Sequence, residues 1–252
     1  MHFASLGSGS KGNATLVRDK STCLLVDNGF SIKETELRMA RLGLAVEQLT
    51  AILVTHEHGD HIRGVGPLAR KYQIPVWTTR GTASHVSLGE LPTLHYLDVH
   101  QSLEIGDIEV QPYPVPHDAR EPCQFAFGNG AKRLGVLTDT GSITPHIVDM
   151  LSGCEALILE CNHDSEMLRN GPYPEPLKAR VGGRFGHLSN QQAADLLQQL
   201  NTQRLKHLVA AHLSEQNNTE ELACYALSEA MNCELQWITI AHQDDGLDWR
   251  AI

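Results

Sequence analysis

Residues 55–61 of the chain read THEHGDH, and they follow the apolar run AILV at residues 51–54. A short apolar run of this kind predicts a buried strand. Three histidines and one aspartate within residues 56–61 are therefore expected at the end of a strand. Imidazoles and carboxylates are costly to bury without partners. The stretch thus raises the question of whether these side chains share a ligand.

The spacing of these side chains is typical of metal ligands. His56 and His58 are two residues apart, so they point the same way on an extended segment. Gly59 permits a sharp turn that brings Asp60 and His61 to the same place. Imidazole nitrogen together with carboxylate oxygen suits zinc, manganese or iron(II). Four ligands so close together cannot all surround one ion, so we expect two neighbouring divalent ions; the alternative is a loop of surface histidines.

The composition is that of an ordinary globular chain. Its 252 residues are 41% hydrophobic and 20% charged, which suffices for a sizeable core in one domain. The formal net charge of −10 argues against a surface that coats DNA generally, but it leaves a local basic groove open. No apolar stretch approaches the roughly 18 residues of a membrane helix, and the start lacks the pattern of a secretory signal. Six scattered cysteines without a CxxC pair indicate reduced thiols and a cytoplasmic protein.

Strand and helix patterns come in two groups, each a series of short strand runs followed by helices. Hairpins are predicted around residues 106–107 and 129–130, and capping boxes at Ser31 and Ser189 begin two helices. ELQWITIA at residues 234–241 is predicted to be the last strand. The grouping favours an α/β fold with two packed sheets between helices, a four-layer αββα sandwich, over a singly wound parallel sheet. Without a repeat or a linker, residues 1–252 are expected to form a single domain.

The pattern HxHxDH after an apolar strand resembles the signature of the metallo-β-lactamase superfamily, whose fold is the αββα sandwich. The resemblance implies three further ligands at strand ends, in the segments VPHD, GVLTDTG and VAAHLSEQN: His117, Asp139 and His212. It implies that one ion is held by His56, His58 and His117. It implies that a second ion is held by Asp60, His61 and His212, and that the carboxylate of Asp139 is shared by both ions. The implied cofactors are two divalent metal ions, zinc or manganese, with iron as a further option.

Four other stretches narrow the resemblance. SLGSGSKGNATLV, LECNHD, YPEPLKARVGGRFGHLSN and AHLSEQNN are similar to the YycJ (WalJ, VicX) branch of the superfamily. That branch is associated with 5′-to-3′ exonuclease activity on DNA and with DNA repair. Related nucleases carry an extra histidine upstream of the last ligand, and His187 in GHLS is its counterpart, so the resemblance implies Asp60 and His187 as catalytic residues. His187 also precedes the predicted cap Ser189, and a structural role beside that helix start is the alternative.

Several other polar residues are candidates for contacts with substrate or ligands. Ser10 and Asn13 belong to a glycine-rich turn whose backbone N–H groups could face an anion, although such turns are more often plain hairpin connections. His163 in CNHD is either a residue that orients a metal ligand from behind or a core histidine. In the least regular stretch, residues 169–186, three of the basic residues are candidates that contact phosphate or form a solvated face: Lys178, Arg180 and Arg184.

Two metals close together can hold both the attacking and the leaving oxygen of a displacement at phosphorus. The favoured function is therefore a metal-dependent phosphodiesterase that acts on nucleic acid, and specifically a 5′-to-3′ exonuclease that acts on DNA ends. The first alternatives are a ribonuclease or a hydrolase of small phosphodiesters, esters or thioesters on the same fold. The second alternative is a regulatory partner without enzymatic activity. The sequence leaves the oligomeric state open.

Overall fold

A computed structural model describes all 252 residues. In chain order its strands are β1 (His2–Gly7), β2 (Ala14–Asp19), β3 (Thr22–Val26), β4 (Ala51–Leu53), β5 (Val76–Thr78), β6 (Leu94–Tyr96), β7 (Leu103–Ile105), β8 (Ile108–Pro114), β9 (Cys123–Gly128), β10 (Arg133–Leu137), β11 (Ala156–Glu160), β12 (His207–Ala211), β13 (Ile238–Ile240) and β14 (Leu247–Ala251). Its α-helices are α1 (Ile32–Arg41), α2 (Gly59–Ile62), α3 (Val65–Tyr72), α4 (Arg80–Ala83), α5 (Pro145–Leu151), α6 (Ser165–Asn170), α7 (Glu175–Val181), α8 (Asn190–Gln199) and α9 (Glu220–Met231).

The strands form two mixed sheets of seven strands each. The first has the order β14-β1-β2-β3-β4-β5-β6, and the second has the order β13-β12-β11-β10-β9-β8-β7. In the first sheet β3 to β6 are parallel to one another, and in the second β10 to β13 are parallel. The remaining pairs are antiparallel.

Three apolar clusters define four layers. The central cluster lies between the sheets and joins, for example, Phe3 of the first sheet to Phe125 of the second. A second cluster packs the outer face of the first sheet against residues of α1 and α3, including Met39. A third packs the second sheet against α5, α8 and α9. The predicted αββα sandwich of the α/β class is therefore confirmed, whereas the single domain over residues 1–252 stays a prediction.

The local signals for turns and helix starts also have counterparts in the structure. Strands β7 and β8 form the hairpin at residues 106–107, and β9 and β10 form the one at 129–130. Ser31 and Ser189 each accept a hydrogen bond from the backbone N–H three residues later, which completes the two capping boxes. None of the helices combines the length and the apolar composition needed to cross a membrane.

Two predictions about local structure are wrong. Residues 169–186 are not an irregular loop throughout, because α7 covers Glu175–Val181 within them. ELQWITIA contains a 3₁₀ turn at Leu235–Trp237 before the short strand β13, and it is not the last strand. That position belongs to β14, which pairs antiparallel with β1. Its sequence, LDWRA, is exposed at several positions and lacks the apolar signal of a buried strand.

The parallel parts of both sheets direct their carboxyl ends to one edge of the sandwich. The segments that follow β3 and β4 meet there with those that follow β10 and β12, since Asp27 and His61 from the first sheet contact each other beside Asp139 from the second. Carboxyl ends of parallel strands are the usual place for binding sites in α/β proteins. This edge holds the residues that the sequence singles out.

Candidate metal centre

Strand ends supply all the predicted ligands. The segment after β4 carries four of them, and the ends of β8, β10 and β12 contribute one each: His56, His58, Asp60 and His61, then His117, Asp139 and His212. Apart from Asp139, these residues form two compact groups, and within each group the donor atoms lie within 4.8 Å of one another. The assignment as metal ligands stays a prediction, which the geometry below supports.

The first group consists of three imidazoles, His56, His58 and His117. Nε2 of His117 lies 3.2 Å from Nδ1 of His58. Nδ1 of His117 lies 3.0 Å from the Gly186 carbonyl, which can only accept, so this nitrogen carries the proton. The Thr55 hydroxyl holds Nδ1 of His56 at 2.9 Å. Two of the three rings are thus fixed by neutral groups that leave Nε2 free to bind a metal.

The second group consists of Asp60, His61 and His212, and carboxylates hold its rings. Nδ1 of His61 donates to Asp27 Oδ2 at 2.8 Å, and Nδ1 of His212 lies 3.4 Å from Glu160 Oε1. The Nε2 atoms of these two rings lie 3.4 and 3.6 Å from Asp60 Oδ2. A carboxylate behind an imidazole fixes the ring and raises its basicity as a ligand.

Asp139 lies between the two groups. Its Oδ2 is 3.3 Å from Nε2 of His61, and its Oδ1 is 3.4 Å from Nε2 of His212. It also shares a cluster of donor atoms within 4.8 Å with His56 and His61. This carboxylate is therefore the one placed to touch an ion in either group.

Unsatisfied polar atoms provide a test of whether the residues fit a metal. His56 Nε2, His212 Nε2 and Asp139 Oδ2 are all buried and have no hydrogen-bond partner. Such atoms are rare in folded proteins, because burying a polar group without a partner costs about 1–3 kcal/mol. Nitrogen and carboxylate donors left free around one point fit divalent cations such as zinc, manganese or iron(II).

The pKa shifts separate the two groups. Burial lowers the pKa of the His56 imidazole well below its ordinary value and also lowers that of His117. Burial disfavours the charged form of His61 and His212 too, but neighbouring carboxylates outweigh it, so the pKa of His61 is raised well above its ordinary value and that of His212 to about 10. A metal ion that enters the second group therefore takes the place of protons.

Backbone strain concentrates at this site. Six non-glycine residues in the chain have positive φ, and three of them, Asp27, Asp139 and His212, belong to the site with φ of 60°, 53° and 55°. Each lies just after a strand, β3, β10 and β12 respectively. The left-handed conformation is uncommon for residues other than glycine, and it is found where the surroundings enforce it, often at functional sites.

A cavity of about 350 Å³ opens onto the donors and is lined in part by Asp60, Asp139, His187 and His212. Nδ1 of His187 lies 2.8 Å from Glu160 Oε1, so Nε2 is the nitrogen left for a bound molecule. Burial opposes protonation of His187, but Glu160 and Asp139 outweigh it and raise its pKa. The geometry thus favours the predicted catalytic role over a purely structural one.

The structure separates the candidates for substrate contact. Ser10 and Arg180 line the cavity, and Arg180 Nε pairs with Asp118 Oδ2 at 2.5 Å. Asn13 does not face the cavity, because its Nδ2 is directed at the ligands, 3.2 Å from Asp60 Oδ2 and 3.2 Å from His61 Nε2. The backbone N–H of Asn13 also donates to the Asp60 carbonyl at 2.8 Å. A contact between Asn13 and a phosphate stays a prediction, which this geometry does not favour.

Two of the three basic candidates, Lys178 and Arg184, also have partners away from the cavity. Lys178 Nζ donates to the Arg169 carbonyl at 2.7 Å, and the guanidinium of Arg184 lies 5.0 Å from the centre of the Phe185 ring. Helix α7 turns by about 100° per residue, so Lys178 and Arg180 lie on different sides of it. Of the three, only Arg180 lines the cavity.

His163 is buried, and its side chain makes no hydrogen bond to a predicted metal ligand. Its Nδ1 lies 3.4 Å from Asn162 Oδ1, and Asn162 Nδ2 in turn contacts Nδ1 and the carbonyl of His212 at 3.3 and 3.1 Å. Asn162, and not His163, is therefore the residue of this segment that contacts the ligand His212, to whose carbonyl it donates, while Glu160 lies behind the ring. Sequence reasoning also missed Asp27 and Glu160, although each is a lone carboxylate at the end of an apolar strand run.

Comparisons with known sequences agree with this picture. The family described as "Beta-lactamase superfamily domain" matches residues 22–212. The chain is 41% identical to the exodeoxyribonuclease YycJ of Bacillus anthracis over 235 residues, which cover 92% of this chain and 89% of the relative. It is 35% identical to the exodeoxyribonuclease WalJ of Streptococcus pneumoniae over 227 residues, 88% of this chain and 84% of the relative. A ribonuclease Z from Methanopyrus kandleri is 32% identical over 111 residues, 40% of this chain and 39% of the relative.

Solved structures share the fold at lower sequence identity. Zn(2+)-bound PqqB from Methylobacterium extorquens aligns with a TM-score of 0.77 and 17% identity over 100% of both chains. The short form of human tRNase Z aligns with a TM-score of 0.68 and 18% identity, over 100% of this chain and 99% of the other. At these identities the likeness extends to the fold alone.

Proposed function

This chain belongs to the metallo-β-lactamase superfamily as a YycJ- and WalJ-like metal-dependent hydrolase, and we propose that it is a 5′-to-3′ exonuclease of DNA that uses two divalent metal ions. The observation that carries the proposal is the pair of donor groups with Asp139 between them. Supporting it is the similarity to two exodeoxyribonucleases over most of the chain. A nucleic acid is the substrate class that these relatives imply.

The proposed reaction is hydrolysis of a phosphodiester. The two donor groups, with Asp139 between them, would hold two divalent cations that would supply positive charge for the phosphate and lower the pKa of a water molecule. The oxygen of water forms a bond to phosphorus, and the bond from phosphorus to the leaving sugar oxygen breaks. His187 donates a proton to that leaving oxygen through Nε2, since Glu160 occupies its Nδ1. Asp60 Oδ2 faces His61 and His212, which leaves its Oδ1 to orient the attacking water and to accept the proton that this water releases.

The proposal also covers the identity of the metal, the cellular compartment and the biological process. The mixed nitrogen and oxygen donors suit zinc or manganese, with iron as a further option. All six cysteines are free thiols, which supports a reducing compartment, the cytoplasm. The names of the two exodeoxyribonuclease relatives support DNA ends as the substrate. DNA repair is the process that the resemblance to their branch implies, and it is part of the proposal.

Digestion of end-labelled nucleic acids tests the proposal. Single- and double-stranded DNA and RNA of one sequence, labelled at either the 5′ or the 3′ end, are incubated with the protein and manganese or zinc. We expect release of a 5′ label from DNA as the first product and little digestion of RNA. Asp139→Asn is the inactive control. Release of the 3′ label first, or no digestion of any nucleic acid, would contradict the proposal.

A ribonuclease is the second candidate, because a ribonuclease Z matches part of the chain. The same digestion separates the two functions, since a ribonuclease would degrade the RNA strand and leave DNA intact. Small phosphodiesters such as bis(p-nitrophenyl) phosphate are included to detect a hydrolase without preference for nucleic acid.

A further inference from the structure

Helix α7 directs apolar side chains into the cavity at the metal donors. The helix has seven residues and buries none of them completely, whereas α5, of the same length, buries Ile147 and Leu151. Leu177 and Val181 are four residues apart, so they lie on the same face of α7. Both line the cavity that contains the metal donors. The face that a helix normally packs against a core is therefore turned toward the space where substrate would bind.

Tyr173 continues this apolar surface just before α7 begins. It is half-buried and lines the same cavity. Pro174 follows it, and the residue before a proline is restricted to extended conformations, which limits the backbone freedom of Tyr173. Tyr173, Leu177 and Val181 are the apolar wall of the cavity. No metal ligand belongs to this wall, so the wall has a role that the chemistry of the metal centre does not explain.

Arg180 links the apolar wall to the charged part of the cavity. Its guanidinium pairs with Asp118, and Asp118 Oδ1 lies 3.7 Å from His58 Nε2 and 3.6 Å from His117 Nε2. The cavity therefore combines donors for metal ions, an arginine and an aromatic surface. Its volume of about 350 Å³ is near the lower end of ligand pockets, which suits a single nucleotide and not a length of duplex.

From this arrangement we propose that the apolar wall is a subsite for the terminal nucleotide, in which Tyr173 stacks on the base and Leu177 and Val181 contact the base and the sugar. The proposal rests on the proposed function and adds the group that recognises the chain end. Stacking on an aromatic ring accepts every base, because every base has a π-face. The subsite thus recognises a base without reading its identity.

Binding of mononucleotides tests the subsite independently of catalysis. Isothermal titration of the manganese-loaded protein compares deoxyadenosine 5′-monophosphate and thymidine 5′-monophosphate with 2-deoxyribose 5-phosphate, which has the phosphate and sugar but no base. We expect both nucleotides to bind about tenfold more tightly than the sugar phosphate. Tyr173→Ala should abolish this preference with unchanged metal content, whereas Tyr173→Phe should keep it.

The matched control is Tyr225→Ala, because Tyr225 is an exposed tyrosine on α9 away from the cavity. It should bind all three probes like the unmodified protein. On single-stranded DNA, Tyr173→Ala should raise KM about tenfold and change kcat less, since Tyr173 is not among the metal donors. Equal affinity for nucleotides and sugar phosphate, or a preference that survives in Tyr173→Ala, overturns the subsite. A protein that shows the preference but digests no DNA refutes the proposed function and leaves the subsite intact.

Discussion

The two donor groups are neighbours but are held in different ways. His56 and His117 of the first group are fixed by a hydroxyl and a backbone carbonyl, both neutral. His61 and His212 of the second group face the carboxylates of Asp27 and Glu160. The first group is therefore built from neutral donors and lies near one carboxylate, Asp118, which is itself paired with Arg180. In the second group carboxylates lie both among the donors and behind them.

This difference has consequences for the ions that each group would hold. A cation gains more from a site with carboxylates both among and behind its ligands, because their charge adds to coordination. The pKa shifts follow the same division, since burial lowers the pKa of His56 while carboxylates raise that of His212 to about 10. We expect the carboxylate-rich group to bind its ion more tightly and the histidine group to exchange its ion more readily.

The largest expected effect is that of Asp139→Asn, since this carboxylate is the one that both groups share. The change keeps the size of the side chain and removes its charge, so both ions should bind weakly. Hydrolysis of DNA should fall by about 10³-fold or more, as expected when metal stabilisation worth several kcal/mol is lost. Metal analysis and turnover are measured together. Asp149→Asn, on the exposed side of α5, is the control and should change neither. Full metal content and normal turnover in Asp139→Asn would show that the two groups do not share this carboxylate.

His187 and His212 can be compared directly within the carboxylate-rich region, because both rings have Nδ1 beside Glu160. His212 has its Nε2 buried among the donors, whereas His187 lines the cavity and is partly exposed. His212→Ala should therefore be poor in metal. His187→Ala should keep both ions and slow hydrolysis by about 10²–10⁴-fold, the range for loss of a proton donor. Metal analysis and turnover at saturating manganese distinguish them, and the opposite pattern would reverse the two roles.

Stepwise removal of metal tests the difference in charge directly. During dialysis against a chelator, the ion of the histidine group should leave first, so the metal content should fall in two separate steps. His58→Ala should lose this ion alone, and Asp60→Asn should weaken the other. The metal content of each protein is followed over time by atomic absorption. Loss of both ions in a single step from the unmodified protein would show that the groups bind equally tightly.

The part of the site that was predictable from sequence is the part with local spacing. HxHxDH places four donors within residues 56–61, and the strand signals before them fix where they emerge. Asp27 and Glu160 were missed for a physical reason. Asp27 reaches His61 because β3 is the neighbour of β4, and Glu160 reaches His212 because β11 lies beside β12. Strand order is a long-range property that no short pattern encodes.

The fold shows the same limit. The two hairpins and the two capping boxes were predictable because turn and cap residues act within a few positions. Helix α7 was missed because its only apolar signal at helical spacing is the pair Leu177 and Val181, which is too short to identify a helix. Strand β14 was missed because most of its residues are not buried. A helix or strand that buries few residues has little apolar pattern in its sequence, so it is hard to predict.

The smallest expected effect concerns Thr55, whose hydroxyl connects the hydrogen bonds behind the two groups. The Thr55 hydroxyl donates to Asp27 Oδ2 at 2.8 Å, because a carboxylate can only accept. The hydroxyl oxygen is then free to accept from Nδ1–H of His56, 2.9 Å away, which leaves Nε2 of that ring for a metal. Thr55→Val has nearly the same shape but cannot make either contact. It should weaken metal binding by about tenfold, the low end for residues that orient a ligand.

Thr55→Ser is the matched control, since it keeps the hydroxyl and loses only a methyl group, and it should bind metal like the unmodified protein. Asp27→Asn completes the comparison, because it removes the charge behind His61 while its amide oxygen can still accept from Nδ1. Affinities for both ions are measured by competition with a chelating dye. If a charged group behind the imidazole stabilises the ion more than a neutral group does, Asp27→Asn should lose more affinity for metal than Thr55→Val. The loss should fall mainly on the ion of the carboxylate-rich group. Equal losses would mean that ring orientation, and not charge, sets the difference between the two groups.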